Sequence, residues 1–162
     1  KDCYFVPKTL NIKNNSVRNI LSKAVIIRSL YTEDKNTCKS IRLCFKQKVF
    51  NNEDEIVEQT SYNVEIANQE DAKNFLNAIG YTQILNINEY EYQLTKDNIM
   101  FEIKEVVNGI LLMEIETIED SKFNSIEKIK QYLIELNLPV DYSNLFVKKA
   151  EIELQKVLDE NS

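Results

Sequence analysis

Lys39-Ser40-Ile41-Arg42-Leu43-Cys44-Phe45-Lys46-Gln47-Lys48-Val49-Phe50 alternates along its length. Ile41, Leu43 and Phe45 take one set of positions, and Arg42, Cys44, Lys46 and Lys48 take the other. A period of two is that of a β-strand, whose successive side chains leave opposite faces. One face of this strand is apolar and the other carries a stripe of three cations. The same pattern recurs downstream. In Ile56–Ile66, Tyr62, Val64 and Ile66 alternate with Ser61, Asn63 and Glu65. In Ile99–Val106, Phe101 and Ile103 alternate with Glu102 and Lys104, and in Ile110–Thr117, Leu111, Met113 and Ile115 alternate with Leu112, Glu114 and Glu116. The middle of the chain therefore predicts an antiparallel meander.

Turn residues fall between these runs. Asn108-Gly109 is the strongest two-residue signal, since both residues accept positive φ. Asn51-Asn52 and Lys96-Asp97-Asn98 are weaker ones, and the polar Thr32–Thr37 reads as a loop. Two helices interrupt the strands. Asn68 caps the first, with Ala72, Phe75, Leu76 and Ile79 on one face and Gly80 as the stop. Asn124 and Glu127 stand at capping-box spacing before Ile126, Ile129, Leu133 and Ile134 of the second, which ends at Leu138-Pro139. From Tyr142 to Leu158 both periods fit: Phe146, Ala150 and Val157 suit a helix, while Ile152 and Leu154 alternate with Glu151, Glu153 and Gln155. The expectation is one α+β domain over residues 1–162, a meander with helices outside. Closing the sheet would remove its edges and give the polar faces an interior to line.

The chain has 162 residues, enough to bury about two thirds of its unfolded surface. Its net charge of −6 argues against a nucleic-acid polymer or an anionic membrane as partner, while leaving room for a local basic pocket. It contains no histidine, which removes Ser-His and Cys-His pairs and His-ligated zinc. Cys3, Cys38 and Cys44 lack metal-ligand spacing and fit a reduced, cytoplasmic protein. Carboxylate, lysine, arginine and tyrosine chemistry remains.

Glu114-Ile115-Glu116 puts two carboxylates on one strand face, roughly 7 Å apart. Such a pair can hold a hard divalent cation; in an acidic chain a bare E-I-E is more often a solvated strand face. Arg28 follows the apolar Val25-Ile26-Ile27, and Lys46 follows Phe45. Each reads as a phosphate contact or as an ordinary surface charge.

The order of these elements carries more information. Val25-Ile26-Ile27-Arg28 precedes Leu43-Cys44-Phe45-Lys46, then the helix ending Leu76-Asn77-Ala78-Ile79-Gly80-Tyr81, then the hairpin and Glu114-Ile115-Glu116. This resembles the CYTH superfamily, the triphosphate tunnel metalloenzymes, which include class IV adenylyl cyclases and thiamine triphosphatases. Asp2-Cys3-Tyr4-Phe5 is similar to the D-x-Y-F segment of the cyclase branch, and Leu43-Cys44-Phe45-Lys46 to its L-T-Y-K. The resemblance covers Asp2 to about Leu145 by element order. It implies an eight-stranded antiparallel β-barrel whose inward cations grip a triphosphate and whose carboxylates hold Mg²⁺ or Mn²⁺, stabilising charge during phosphoryl transfer. Carried over, Arg28 matches the second arginine of R-x-R and Lys46 the tunnel lysine. Glu114 and Glu116 match the late metal-binding E-x-E, and Glu65 is the carboxylate left of the central one. Lys46, Glu114 and Glu116 are then the catalytic set, Arg28, Arg42, Lys46 and Lys48 bind substrate, and Glu65, Glu114 and Glu116 bind metal.

Other family positions differ. Ile26 replaces an arginine, Ile87 and Glu89 replace two cations, and Lys104 replaces a carboxylate. Such a lining should hold a triphosphate weakly, and Lys104 is expected to pair with Glu102, Glu114 or Glu116. The family's opening E-x-E-x-K strand does not precede Lys1: either the chain is trimmed, or the strand comes from elsewhere. Ala150–Lys156 offers similar residues for a circular permutation or for donation by a neighbouring chain in a homodimer, although a charged helix is the favoured reading there. Tyr90 and Tyr92 fall on the face opposite Glu89, toward helices rather than a nucleobase. Two functions follow: a metal-dependent triphosphatase or adenylyl cyclase-like domain with a degenerate site, or an inactive barrel that binds a nucleotide, another ligand or a protein.

Overall fold

Alternation specifies which face a residue uses, and the strands keep the expected faces. A computed structural model describes residues 1–34, 37–50, 56–117, 125–141 and 148–160. The strands are β1 (Asp2–Pro7), β2 (Val25–Tyr31), β3 (Cys38–Phe50), β4 (Ile56–Glu65), β5 (Tyr81–Ile87), β6 (Glu89–Lys96), β7 (Ile99–Val106) and β8 (Leu111–Thr117). The helices are α1 (Val17–Ser22), α2 (Gln69–Ala78), α3 (Ile126–Glu135) and α4 (Lys149–Glu160). The chain divides into two compact units, Lys1–Asn88 with Ala150–Ser162, and Glu89–Lys149.

The first unit holds a five-stranded antiparallel sheet in the order β4-β3-β2-β1-β5. One face carries Cys3, Phe5 and Ile27, which bury against Leu76 of α2, with Ile41, Leu43 and Ala72 around them. Of the predicted apolar positions of β3, Ile41 and Leu43 thus face a core. Asn68 caps α2 as expected, its side-chain oxygen accepting from the Glu70 N–H at 2.8 Å. The predicted α2 stripe splits, however: Leu76 is buried, while Phe75 and Ile79 are exposed. β4 is an edge strand, and residues 58–65 are exposed on both of its faces.

Gly80 ends α2 with φ +90°, a conformation that costs an L side chain strain. A Cβ there would meet nothing within 4 Å. Gly80→Ala should therefore lower stability by about 1–2 kcal/mol through the backbone alone. Urea unfolding checks this, and an unchanged midpoint would refute it.

The second unit holds a three-stranded sheet, β6-β7-β8. Ile99 and Phe101 pack with Tyr132 and Leu133 of α3, joined by Met113, Ile115 and Ile129. Asp97 and Asn98 have φ of 51° and 61° and join Lys96 to Ile99, so this weaker signal makes the tight two-residue hairpin. At the next hairpin Asn108 takes φ 59°, and the Gly109 N–H bonds to the Val106 carbonyl at 2.9 Å, which centres the turn on Val107-Asn108 rather than Asn108-Gly109. Ser125 caps α3, accepting from the Lys128 N–H at 3.3 Å. Asn124, assigned that role from sequence, lies outside the described residues, as do Asn51-Asn52 and Tyr142–Phe146. The ambiguous tail is helical in α4, where Glu151 meets Arg18 and Glu153 meets Lys156.

The expected closed eight-stranded barrel is not what forms. The strands make two open sheets of five and three, and no ladder joins them among the described residues. Alternation fixes faces, whereas closure depends on strand tilt and stagger, which a period of two does not encode. Glu114 and Glu116, expected in a barrel interior, are exposed on an open sheet. Among the described residues no helix is long and apolar enough to cross a membrane.

Candidate functional site

The polar face of the five-stranded sheet gathers most of the predicted anion-binding residues. One row runs straight across it. Ile87, Asp2, Arg28, Arg42 and Glu65 face one another in turn on β5, β1, β2, β3 and β4. Directly opposed residues of this kind hold their Cβ atoms about 5 Å apart. Two like charges, Arg28 and Arg42, are neighbours, with a carboxylate on each outer side. Lys46 and Lys48 lie on the same face of β3, opposite Ser61 and Gln59 of β4. The face thus carries four cations against two carboxylates, in a chain whose net charge is −6.

Arg28 is held by a fork. Its Nε donates to Asp2 Oδ1 at 2.8 Å and a terminal nitrogen donates to Oδ2 at 2.7 Å. The Asp2 side chain is only 2% exposed, against 47% for Arg28. A buried carboxylate needs such a partner, and the planar guanidinium supplies two parallel N–H bonds. These hydrogen bonds drive the Arg28 pKa further up, against the opposing effect of its burial. The fork uses two of the five guanidinium N–H groups. Cys44 sits in the next row, opposite Ile26 and Asn63. Burial pushes its thiol pKa up, with the Arg28 charge acting the other way.

The second sheet gathers acids. Glu102 faces Gln93 on one side and Glu114 on the other, and Glu91 faces Lys104. The Lys104 ammonium bonds Glu102 and Glu114, each at 2.7 Å, as its sequence position predicts. Gln93 donates to Glu102 at 3.0 Å. Burial acts to raise the Glu102 pKa, but hydrogen bonds from Lys104, Gln93 and Glu91 outweigh it and bring it down to about 2. Glu91 moves up, through burial and then through the hydrogen bond it shares with Glu102.

The residues expected to hold Mg²⁺ or Mn²⁺ fall on two different sheets. Glu65 belongs to β4 of the first unit, and Glu114 and Glu116 to β8 of the second. Glu114 is bonded to Lys104, and Glu116 stands opposite Met100. Among the described residues no three acids or thiols are grouped as metal ligands. An ammonium already supplies the positive charge between Glu102 and Glu114.

Two pairs escaped the sequence reading. One is Asp2 with Arg28. The other is Glu89 with Lys149, at 2.5 Å, with both side chains 11% exposed. Glu89 stands where the resemblance calls for a cation, and its partner lies 60 residues away, so no local pattern announces it. Tyr90 and Tyr92 are on the α3 side of their sheet and exposed.

A depressed carboxylate stabilises the fold above its unfolded pKa and loses that contribution as pH falls through the folded value. For Glu102 the window runs from about 4.3 in the unfolded chain down to about 2. Lys104→Met should return Glu102 toward its ordinary range and flatten that part of the profile. Urea midpoints between pH 5 and 3, as an expected outcome, fall less steeply in the variant. Parallel profiles would refute the assignment.

No family model and no curated protein matches this sequence. Solved structures do share the fold. The PH1819 protein of Pyrococcus horikoshii OT3 is similar at 17% identity and TM-score 0.62, over 96% of this chain and 82% of that one. A conserved hypothetical protein from Pyrococcus furiosus is similar at 22% identity and TM-score 0.51, over 85% and 72%. The PH1012 protein of Pyrococcus horikoshii OT3 is similar at 14% identity and TM-score 0.57, over 94% and 79%. At these identities the likeness is one of fold.

Proposed function

We propose that this chain binds a triphosphate or a nucleotide on the face formed by Arg28, Arg42, Lys46 and Lys48. The observation that carries the reading is the convergence of these four cations on one sheet face of an acidic chain, with Arg28 held by a buried carboxylate. A polyanion with several phosphates spans such a surface better than a single phosphate, because each added charge-assisted hydrogen bond adds affinity. The resemblance to the CYTH superfamily points to the same ligand class and to the same Arg28 and Lys46. The reading favours binding over efficient turnover, because Lys104 already pairs with Glu114, one of the three acids assigned to a metal.

A thermal-shift panel tests this, since a ligand of the folded state raises the melting temperature by mass action. Tripolyphosphate, adenosine triphosphate and thiamine triphosphate should each raise it more than orthophosphate does. The shift should shrink as salt rises, because Arg28 and Arg42 are exposed to solvent. It should also persist with a chelator present. A shift that needs Mg²⁺ or Mn²⁺ would favour the metal-dependent reading instead, and no shift with any of the three would refute anion binding on this face.

A further inference from the structure

We propose that Asp2 is a positioning residue for the anion, one that holds Arg28 with its unused N–H groups toward the ligand. This rests on the binding face proposed above. Asp2 is buried and Arg28 is half exposed, so the fork anchors the inner edge of the guanidinium and leaves the outer edge on the polar face. Three N–H groups remain on that outer side. An arginine side chain loses much rotamer freedom on binding, and a preset fork removes most of that loss in advance. Arg42 stands directly opposite Arg28 on β3, so the anchored guanidinium and its neighbour face the ligand side by side.

The proposal has a sign that simple electrostatics does not share. Asp2 is an anion beside an anion site. On charge alone, Asp2→Asn should tighten tripolyphosphate binding. If Asp2 positions Arg28, the same substitution should weaken it, because an amide accepts through one oxygen only and the fork is lost.

Calorimetry with tripolyphosphate on the full chain decides between them. Asp2→Asn should weaken binding about tenfold. In an Arg28→Gln background the same substitution should have no further effect, whereas a merely structural role for Asp2 would keep its effect there. Arg28→Lys keeps the charge and cannot form the fork, so it should also lose about tenfold. That variant keeps the question decidable if Asp2→Asn does not fold. Binding by Asp2→Asn that equals or exceeds that of the unaltered protein, or full binding by Arg28→Lys, overturns the positioning role and leaves the binding face standing. Failure of the unaltered chain to bind tripolyphosphate overturns both.

Discussion

The double variant Lys46→Glu, Lys48→Glu is expected to lose tripolyphosphate affinity by about a hundredfold or more. Both lysines leave β3 on the face of Arg42, opposite the neutral Ser61 and Gln59. Each reversal removes one charge-assisted contact and adds a repulsive charge, and a factor of ten per site corresponds to about 1.4 kcal/mol. The substitutions lie away from the apolar face that packs on Phe5 and Leu76, so the fold should survive. Lys39→Glu is the matched control. It lies near the start of the same strand, is exposed, and falls at the bulge that β3 makes against β2, seven residues from Lys46. Its affinity should stay within about twofold of the unaltered chain, as befits a distant screened charge. Equal losses in the control and the double variant would mean that net charge, rather than this face, governs binding.

Phe5→Ala is expected to cost about 3–5 kcal/mol of stability. Phe5 is 1% exposed and packs with Cys3, Ile27 and Leu76. Its neighbours come from β1, β2 and α2, so they cannot all close in on a vacated ring. A domain of this size has about 5–15 kcal/mol in total, so the variant should lie near its unfolding midpoint under mild conditions. Leu111→Ala, at a residue 69% exposed, should change stability by less than about 0.5 kcal/mol. Urea titration of both variants separates the core from the surface. A loss at Phe5 no larger than at Leu111 would contradict the packing described.

Face assignment was the legible part of this sequence. Arg42, Lys46 and Lys48 share a face because strand periodicity is local, and the same holds for Glu102, Lys104, Glu114 and Glu116. Lys104 was readable as a partner of Glu102, Glu114 or Glu116 for that reason, and it takes the first two. Sheet closure was not legible, because the open edges of β4 and β5 depend on long-range geometry. Nor was the pairing of Asp2 with Arg28. Asp2 reads only as part of the segment Asp2-Cys3-Tyr4-Phe5 until the register places it against Arg28 across 26 residues.

The exposed edge of β4 has a consequence for amide exchange. Along an antiparallel edge strand, successive backbone N–H groups point alternately toward the neighbouring strand and away from it. Those aimed at β3 sit in the ladder, while among the described residues no strand pairs with the outer side of β4. With residues 58–65 exposed on both faces, no side-chain layer shields the outward amides. Deuterium should enter β4 in a two-residue rhythm, fast and slow by turns, and the inner strands β1 and β2 should show no such beat.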